Sequence, residues 1–178
     1  MSDTLWERNV TERVMKTGTL QKRAEFYARR YGGLLTPCDL ESLADEALEV
    51  FLTARNRVEL YDDVRPALIR LRSRYRLFAL SNGNADLGRC GIADLFAGHI
   101  TARAAGFAKP DARIFARLAH EAGVEAARVL HIGDDPLADV VGARQAGMQA
   151  VWLNRDAREW PALFVPPART ITSLAEVV

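Results

Sequence analysis

The sequence predicts an α/β fold: a parallel sheet with helices on both faces, preceded by a segment that is helical throughout. Three observations lead there. From residue 62 onward, short apolar runs alternate with amphipathic stretches of helical period, the pattern of strand–helix–strand units. One run, Val129-Leu130-His131-Ile132, ends in Gly133-Asp134-Asp135, with Asp139 beyond. That puts carboxylates at the carboxyl end of a strand, where open α/β sheets bind ligands. Before residue 61, Leu40, Leu43, Ala44, Ala47, Leu48, Phe51 and Leu52 form one stripe at helical spacing, which is packing surface and not a strand.

Taken in order, residues from about Thr11 to Tyr31 read as helical, weakened by Gly18 and ended by Gly32-Gly33. Asp39 is placed to cap the striped helix that follows. Asp62-Asp63 opens a new helix, with Pro66 in its first turns and Leu68, Ile69 and Leu71 inside. Leu77–Leu80 reads as a strand, and Ser81-Asn82-Gly83-Asn84 as the loop at its end. Ile100-Thr101 is a short strand. Asp111 caps a helix to Ala122 that buries Ile114, Phe115, Leu118, Ala119 and Ala122, with Gly123 after it. The 129–132 strand, a helix over 137–146 closed by Gly147, and a strand at Ala150–Leu153 come next. Pro161, Pro166 and Pro167 mark irregular chain before Thr170-Ile171 and a last short helix at Leu174–Val177. The expected division is a helical cap over residues 1–61 and an α/β core over 62–178.

The chain has 178 residues, 49% hydrophobic and 26% charged, enough for one core and a small accessory unit. With 24 basic and 23 acidic residues the net charge is +1, so no nucleic-acid or membrane surface is indicated. Cys38 and Cys90 form no disulfide framework or metal spacing, which points to a reducing, cytoplasmic setting. No apolar run approaches the ~20 residues of a membrane span, and no signal peptide is visible. A monomer or weak homodimer is expected.

Three polar loops belong at one sheet edge. Ser81-Asn82 ends one strand, Lys109-Pro110 precedes a helix, and Asp134-Asp135 ends another strand. Taken singly each is ordinary: a Ser-Asn turn, a surface Lys-Pro, a helix-capping Asp135 with a solvated Asp139. Taken together, a hydroxyl, an amide, an ammonium and crowded carboxylates suit a phosphate. Ser81 would donate to a phosphoryl oxygen with Asn82 beside it, and Lys109 would neutralise charge that builds in the transition state. The carboxylates of Asp134, Asp135 and Asp139 repel one another unless a hard cation, Mg²⁺ above all, sits among them. His99, His120 and His131 lack ligand spacing and read as structural.

At these residues the chain resembles the haloacid dehalogenase (HAD) superfamily. Ser81 resembles the Ser/Thr of its second motif, Lys109 the Lys of its third, and Gly133-Asp134-Asp135 with Asp139 its fourth. The likeness runs from about residue 40 to residue 155. Leu60-Tyr61, Ser81 through Asp86, and Gly133 through Gly147-Met148 are similar to the bacterial branch that dephosphorylates FMN and a phosphorylated riboflavin precursor. The resemblance implies a Rossmann-like three-layer sandwich with a helical cap. It also implies Mg²⁺-dependent phosphoryl transfer from a small phosphorylated metabolite to an aspartate, then hydrolysis.

The family's first motif, Asp-x-Asp-x-Thr after an apolar strand, has no counterpart in these residues. Met1-Ser2-Asp3-Thr4 echoes only its end. The reading is that the chain begins inside the cap, truncated, without nucleophile and therefore without turnover, since the phospho-aspartate step is what divides the reaction in two. In the family fold that first strand lies between those ending at Ser81 and Asp134. Its absence predicts either a gap or a direct pairing that draws the two strands to the ~4.8 Å spacing. Each ladder group left unpaired costs ~1–3 kcal/mol. Two alternatives follow. A non-catalytic phosphate-binding or protein-interaction module would account for the missing nucleophile. A haloacid dehalogenase needs no metal, and the doubled Asp134-Asp135 speaks against it.

Overall fold

The computed structural model describes residues 49, 52–54, 56–83 and 85–177. The helical reading of residues 1–48, the Asp39 cap, the Asp3-Thr4 echo and Asn84 lie outside them. The chain divides after Arg57, and the unit from Val58 to Val178 carries every strand described below. Tyr61 belongs to that unit: the Arg155 guanidinium lies over its ring at 4.2 Å.

Among the described residues five short strands, all parallel to their neighbours, alternate with helices. Helix α1 (Val64–Arg72) leads to β1 (Phe78–Ser81), β2 (Gly98–Thr101) and a single turn, α2 (Ala102–Ala105). Then come α3 (Ala112–Ala122), β3 (Leu130–Gly133), a π-helical turn over Pro136–Val141 running into α4 (Gly142–Gln145), β4 (Gln149–Leu153) and β5 (Thr170–Ile171). β1 pairs with β2 from Phe78 opposite Gly98 to Ser81 opposite Thr101. β3, β4 and β5 form a second sheet, with Gly133 opposite Trp152 and Trp152 opposite Thr170. Among the described residues β1 and β3 do not pair with each other. The direct pairing that the sequence allowed is therefore not formed.

The strands end one residue later than the apolar runs suggest, so Ser81 and Gly133 close β1 and β3. Both residues still ladder with a partner strand, which apolarity alone does not reveal. Helix α3 forms as read. Asp111 accepts from the Arg113 amide, and all five predicted side chains are buried. Ile114 and Phe115 are fully inaccessible, worth about 1.5–3 kcal/mol each. With Ile100, Leu118, Ala143 and Met148 they make the main core cluster, against which Phe78 and Leu80 of β1 pack.

Helix α1 opens after Asp63 as read and differs from expectation at Ile69, which is half exposed because the helix buries Ala67, Leu68 and Leu71 instead. The Asp63 side chain makes no capping hydrogen bond to its own helix. Its Oδ2 accepts from the Arg155 guanidinium at 2.9 Å, the Ser173 hydroxyl at 2.6 Å and the Leu174 amide at 2.7 Å. This carboxylate ties the start of α1 to the chain's last turn. The Arg155 contact, assisted by Ser173 and Leu174 against a smaller opposing effect of burial, lowers its pKa to about 2. A depressed carboxyl pKa stabilises above the unfolded value of 3.8 and loses that contribution as pH falls towards 2. Asp63→Asn is therefore expected to cost up to about 2 kcal/mol at pH 7 and little at pH 2. Urea unfolding across that range measures it. Equal losses at both pH values would contradict the assignment.

Candidate active site

The site is built where β1 and β3 end. Lys109 lies in the segment between α2 and α3, and two side chains and one backbone carbonyl hold it. The Asn82 amide pairs with its backbone both ways: Asn82 Nδ2 donates to Lys109 O at 2.9 Å, and Lys109 N donates to Asn82 Oδ1 at 2.7 Å. The Lys109 ammonium donates to Leu80 O at 3.1 Å and to Asp139 Oδ1 at 2.6 Å. Lys109 thus links the carboxyl end of β1 to the turn that follows β3. Gly142 packs so closely on the next residue that an added Cβ would lie 2.9 Å from Pro110 Cα.

Asp139 is the buried hinge of this arrangement, with a side chain 5% exposed. Its Oδ1 also contacts His131 Nε2 at 2.9 Å, and its Oδ2 accepts from the Asp135 amide at 3.0 Å. Burial pushes the Asp139 carboxyl up, but the His131 hydrogen bond and the Lys109 ammonium outweigh it and hold it well below the usual carboxylate range. Asp139 is thus not the solvated side chain that spacing alone allowed.

The sequence suggested an ordinary helix over 137–146. The π turn at its start, with Asp139 N and Val140 N both donating to Asp135 O, carries Asp139 beneath Gly133. A Cβ on Gly133 would sit 2.2 Å from Asp139 Cγ. Such turns occur preferentially at functional sites.

The three carboxylates expected to share a metal are differently placed. Asp135 Oδ1 caps the turn, accepting from Leu137 N at 2.9 Å and Ala138 N at 2.7 Å. Asp139 is committed to Lys109 and His131. The Asp134 side chain is 77% exposed, with the Arg158 guanidinium at 3.9 Å. Among the described residues no group of three or more His, Cys, Asp or Glu side chains is arranged to hold a metal. Ser81 is half-buried at the end of β1, its hydroxyl donating to Gly83 O at 3.2 Å.

Two side chains that border the site were not among the candidates read from the sequence. His131, read as structural, touches Asp139 and stands edge-on to Phe115 of the core at 5.3 Å. Its signal was parity: two residues before Gly133 on a strand, it faces the same side. Arg158 comes from irregular chain and carried no signal.

A family model described as haloacid dehalogenase-like hydrolase matches residues 4–147. The 5-amino-6-(5-phospho-D-ribitylamino)uracil phosphatase YigB of Escherichia coli is 31% identical over 74% of this chain and 59% of its own length. The phosphoserine phosphatase of Thermus thermophilus is 36% identical over 65% of this chain and 49% of its own. The chain therefore spans about half the length of the curated relatives it matches. The crystal structure of a 2-haloacid dehalogenase from Pseudomonas syringae superposes with a TM-score of 0.82 at 32% identity, covering 98% of this chain and 75% of that one. Among the described residues no helix is long and apolar enough to cross a membrane.

Proposed function

The chain belongs to the haloacid dehalogenase-like hydrolases, and on that premise we propose that it is the core of a Mg²⁺-dependent phosphatase acting on a small phosphorylated metabolite of the FMN or riboflavin-precursor type. The observation that carries the reading is the Lys109 ammonium. It is 12% exposed, fixed by Leu80 O and Asp139, and set between the ends of β1 and β3. A cation so oriented stabilises negative charge on a phosphoryl group without reorganising. Ser81 supplies a hydroxyl donor at the same strand end. Asp139 and His131 keep the ammonium in place and touch nothing that reacts.

The donor set fits Mg²⁺ through Asp134, an exposed carboxylate just past the end of β3. Mg²⁺ takes one or two carboxylates and completes its shell with water and phosphate oxygens. When bound it supplies charge neutralisation and polarises phosphoryl oxygens. Asp135, whose Oδ1 caps the turn, and Asp139, both of whose oxygens accept protein donors, are assigned to supporting roles. The named substrate of the E. coli relative, a phosphorylated ribitylaminouracil, supports the substrate class. A cytoplasmic setting and a monomer or weak homodimer belong to the same proposal.

The 178 residues contain no Asp-x-Asp-x-Thr, so turnover is assigned to a form that carries this motif and not to these residues alone. Phosphate release from a phosphomonoester panel including FMN tests this. The chain alone is expected to be silent. The chain extended by an apolar strand ending in Asp-x-Asp-x-Thr is expected to turn over with Mg²⁺, and Asp134→Ala should abolish that activity. Mg²⁺-dependent release by the 178 residues, lost in Asp134→Ala, would refute the inactivity. The dehalogenase superposition favours a second reading, which metal-independent chloride release from 2-chloropropionate would establish instead.

A further inference from the structure

Asp134 is gripped by a loop that the reading above leaves without a role. Its carbonyl oxygen accepts two donors, the Trp152 indole at 3.0 Å and the Arg158 guanidinium at 2.7 Å. Arg158 is itself held by a buried side chain. Asn154, 7% exposed, donates to Arg158 O at 2.8 Å and accepts from Arg158 N at 2.9 Å. Trp160, two residues on, stands edge-on to Trp152 at 5.1 Å.

The Arg158 backbone is therefore anchored by Asn154, and its guanidinium by the Asp134 carbonyl. The 3.9 Å approach to the Asp134 carboxylate joins side chains 47% and 77% exposed, too open to hold it by itself. A cation fixed in this way has no reason to leave when a second cation arrives at the carboxylate.

We infer that Arg158 sets the charge balance at Asp134, lowering its affinity for a divalent metal and raising the affinity of the metal-loaded site for an anion. This rests on the proposed role of Asp134 as metal ligand. Coulomb repulsion between a dication and a nearby guanidinium at water-like dielectric is worth about fivefold to tenfold in affinity. Both side chains are open to solvent, so the effect shrinks as salt is raised. Arg158 is a positioning and affinity-setting residue here, and no covalent step involves it.

Calorimetric titration of the full chain with MgCl₂, then with inorganic phosphate at saturating Mg²⁺, tests the inference. Arg158→Gln is expected to tighten Mg²⁺ about fivefold to tenfold at low salt and to weaken phosphate by a similar factor. Arg158→Lys, which keeps the charge, should stay near wild type in both. If Arg158→Gln leaves both isotherms unchanged, or weakens both as mere loss of the loop's anchor would, the inference is overturned. Asp134→Asn separates the two levels: it should abolish Mg²⁺ binding in either background. If it retains wild-type Mg²⁺ affinity, the assignment of Asp134 fails first and the role of Arg158 falls with it.

Discussion

Asp139→Ala is expected to cost about 3–5 kcal/mol, the usual result of removing one partner from a buried ion pair. The Lys109 ammonium, 12% exposed, would lose its carboxylate at 2.6 Å and keep only Leu80 O. His131 Nε2 and the Asp135 amide would lose their partner as well. In a domain of this size that loss lowers the melting temperature by roughly 6–20 °C. The test of cause is the pair. Lys109→Met together with Asp139→Leu removes both charges and should recover at least half of the loss, since replacing a buried pair by apolar groups is often neutral. A double variant no more stable than Asp139→Ala would mean that the charges are not what matters.

Gly133→Ala is expected to cost about 3 kcal/mol or more, beyond the usual range for one added methyl in a packed core. The new Cβ would meet Asp139 Cγ at 2.2 Å and its Cβ and Oδ2 at 2.5 Å. Elsewhere a flexible side chain would swing aside. Asp139 has three donors fixing it, so relief on one side breaks contacts on the other. The variant should lose stability and, with Lys109 displaced, phosphate affinity. A urea midpoint within error of wild type would show that Asp139 is free to move, and the rigidity claimed for the site would be wrong.

What the sequence disclosed follows from the range of the forces involved. Helix α3 was legible to its ends because Asp111, Gly123 and the apolar period act within one or two turns. The parallel pairings were legible as a class because alternation of element types dictates them. The π turn was not, because it follows from where the Asp139 carboxylate must go, and its partner Lys109 is 30 positions away. The crowding of Asp134, Asp135 and Asp139 correctly marked the strand end. Spacing did not tell which oxygens would cap a turn, which would pair with lysine and which would face solvent. Arg158 was invisible for a plainer reason: irregular chain has no period, and Asn154 fixes it through the backbone. Asp63 read as the start of a helix, yet its partners lie beyond residue 150.

On the proposed function, the ends of β1 and β3 form one phosphate site that requires Mg²⁺ at Asp134. Titration of inorganic phosphate into the full chain, with and without MgCl₂, tests it most directly. Phosphate should bind with Mg²⁺ and lose about tenfold to a hundredfold in affinity without it, the worth of a charged hydrogen-bonding partner. Asp134→Ala should abolish the Mg²⁺ dependence, and Ser81→Ala should weaken binding with the metal response intact. Phosphate binding that ignores both Mg²⁺ and Asp134→Ala would contradict the claim.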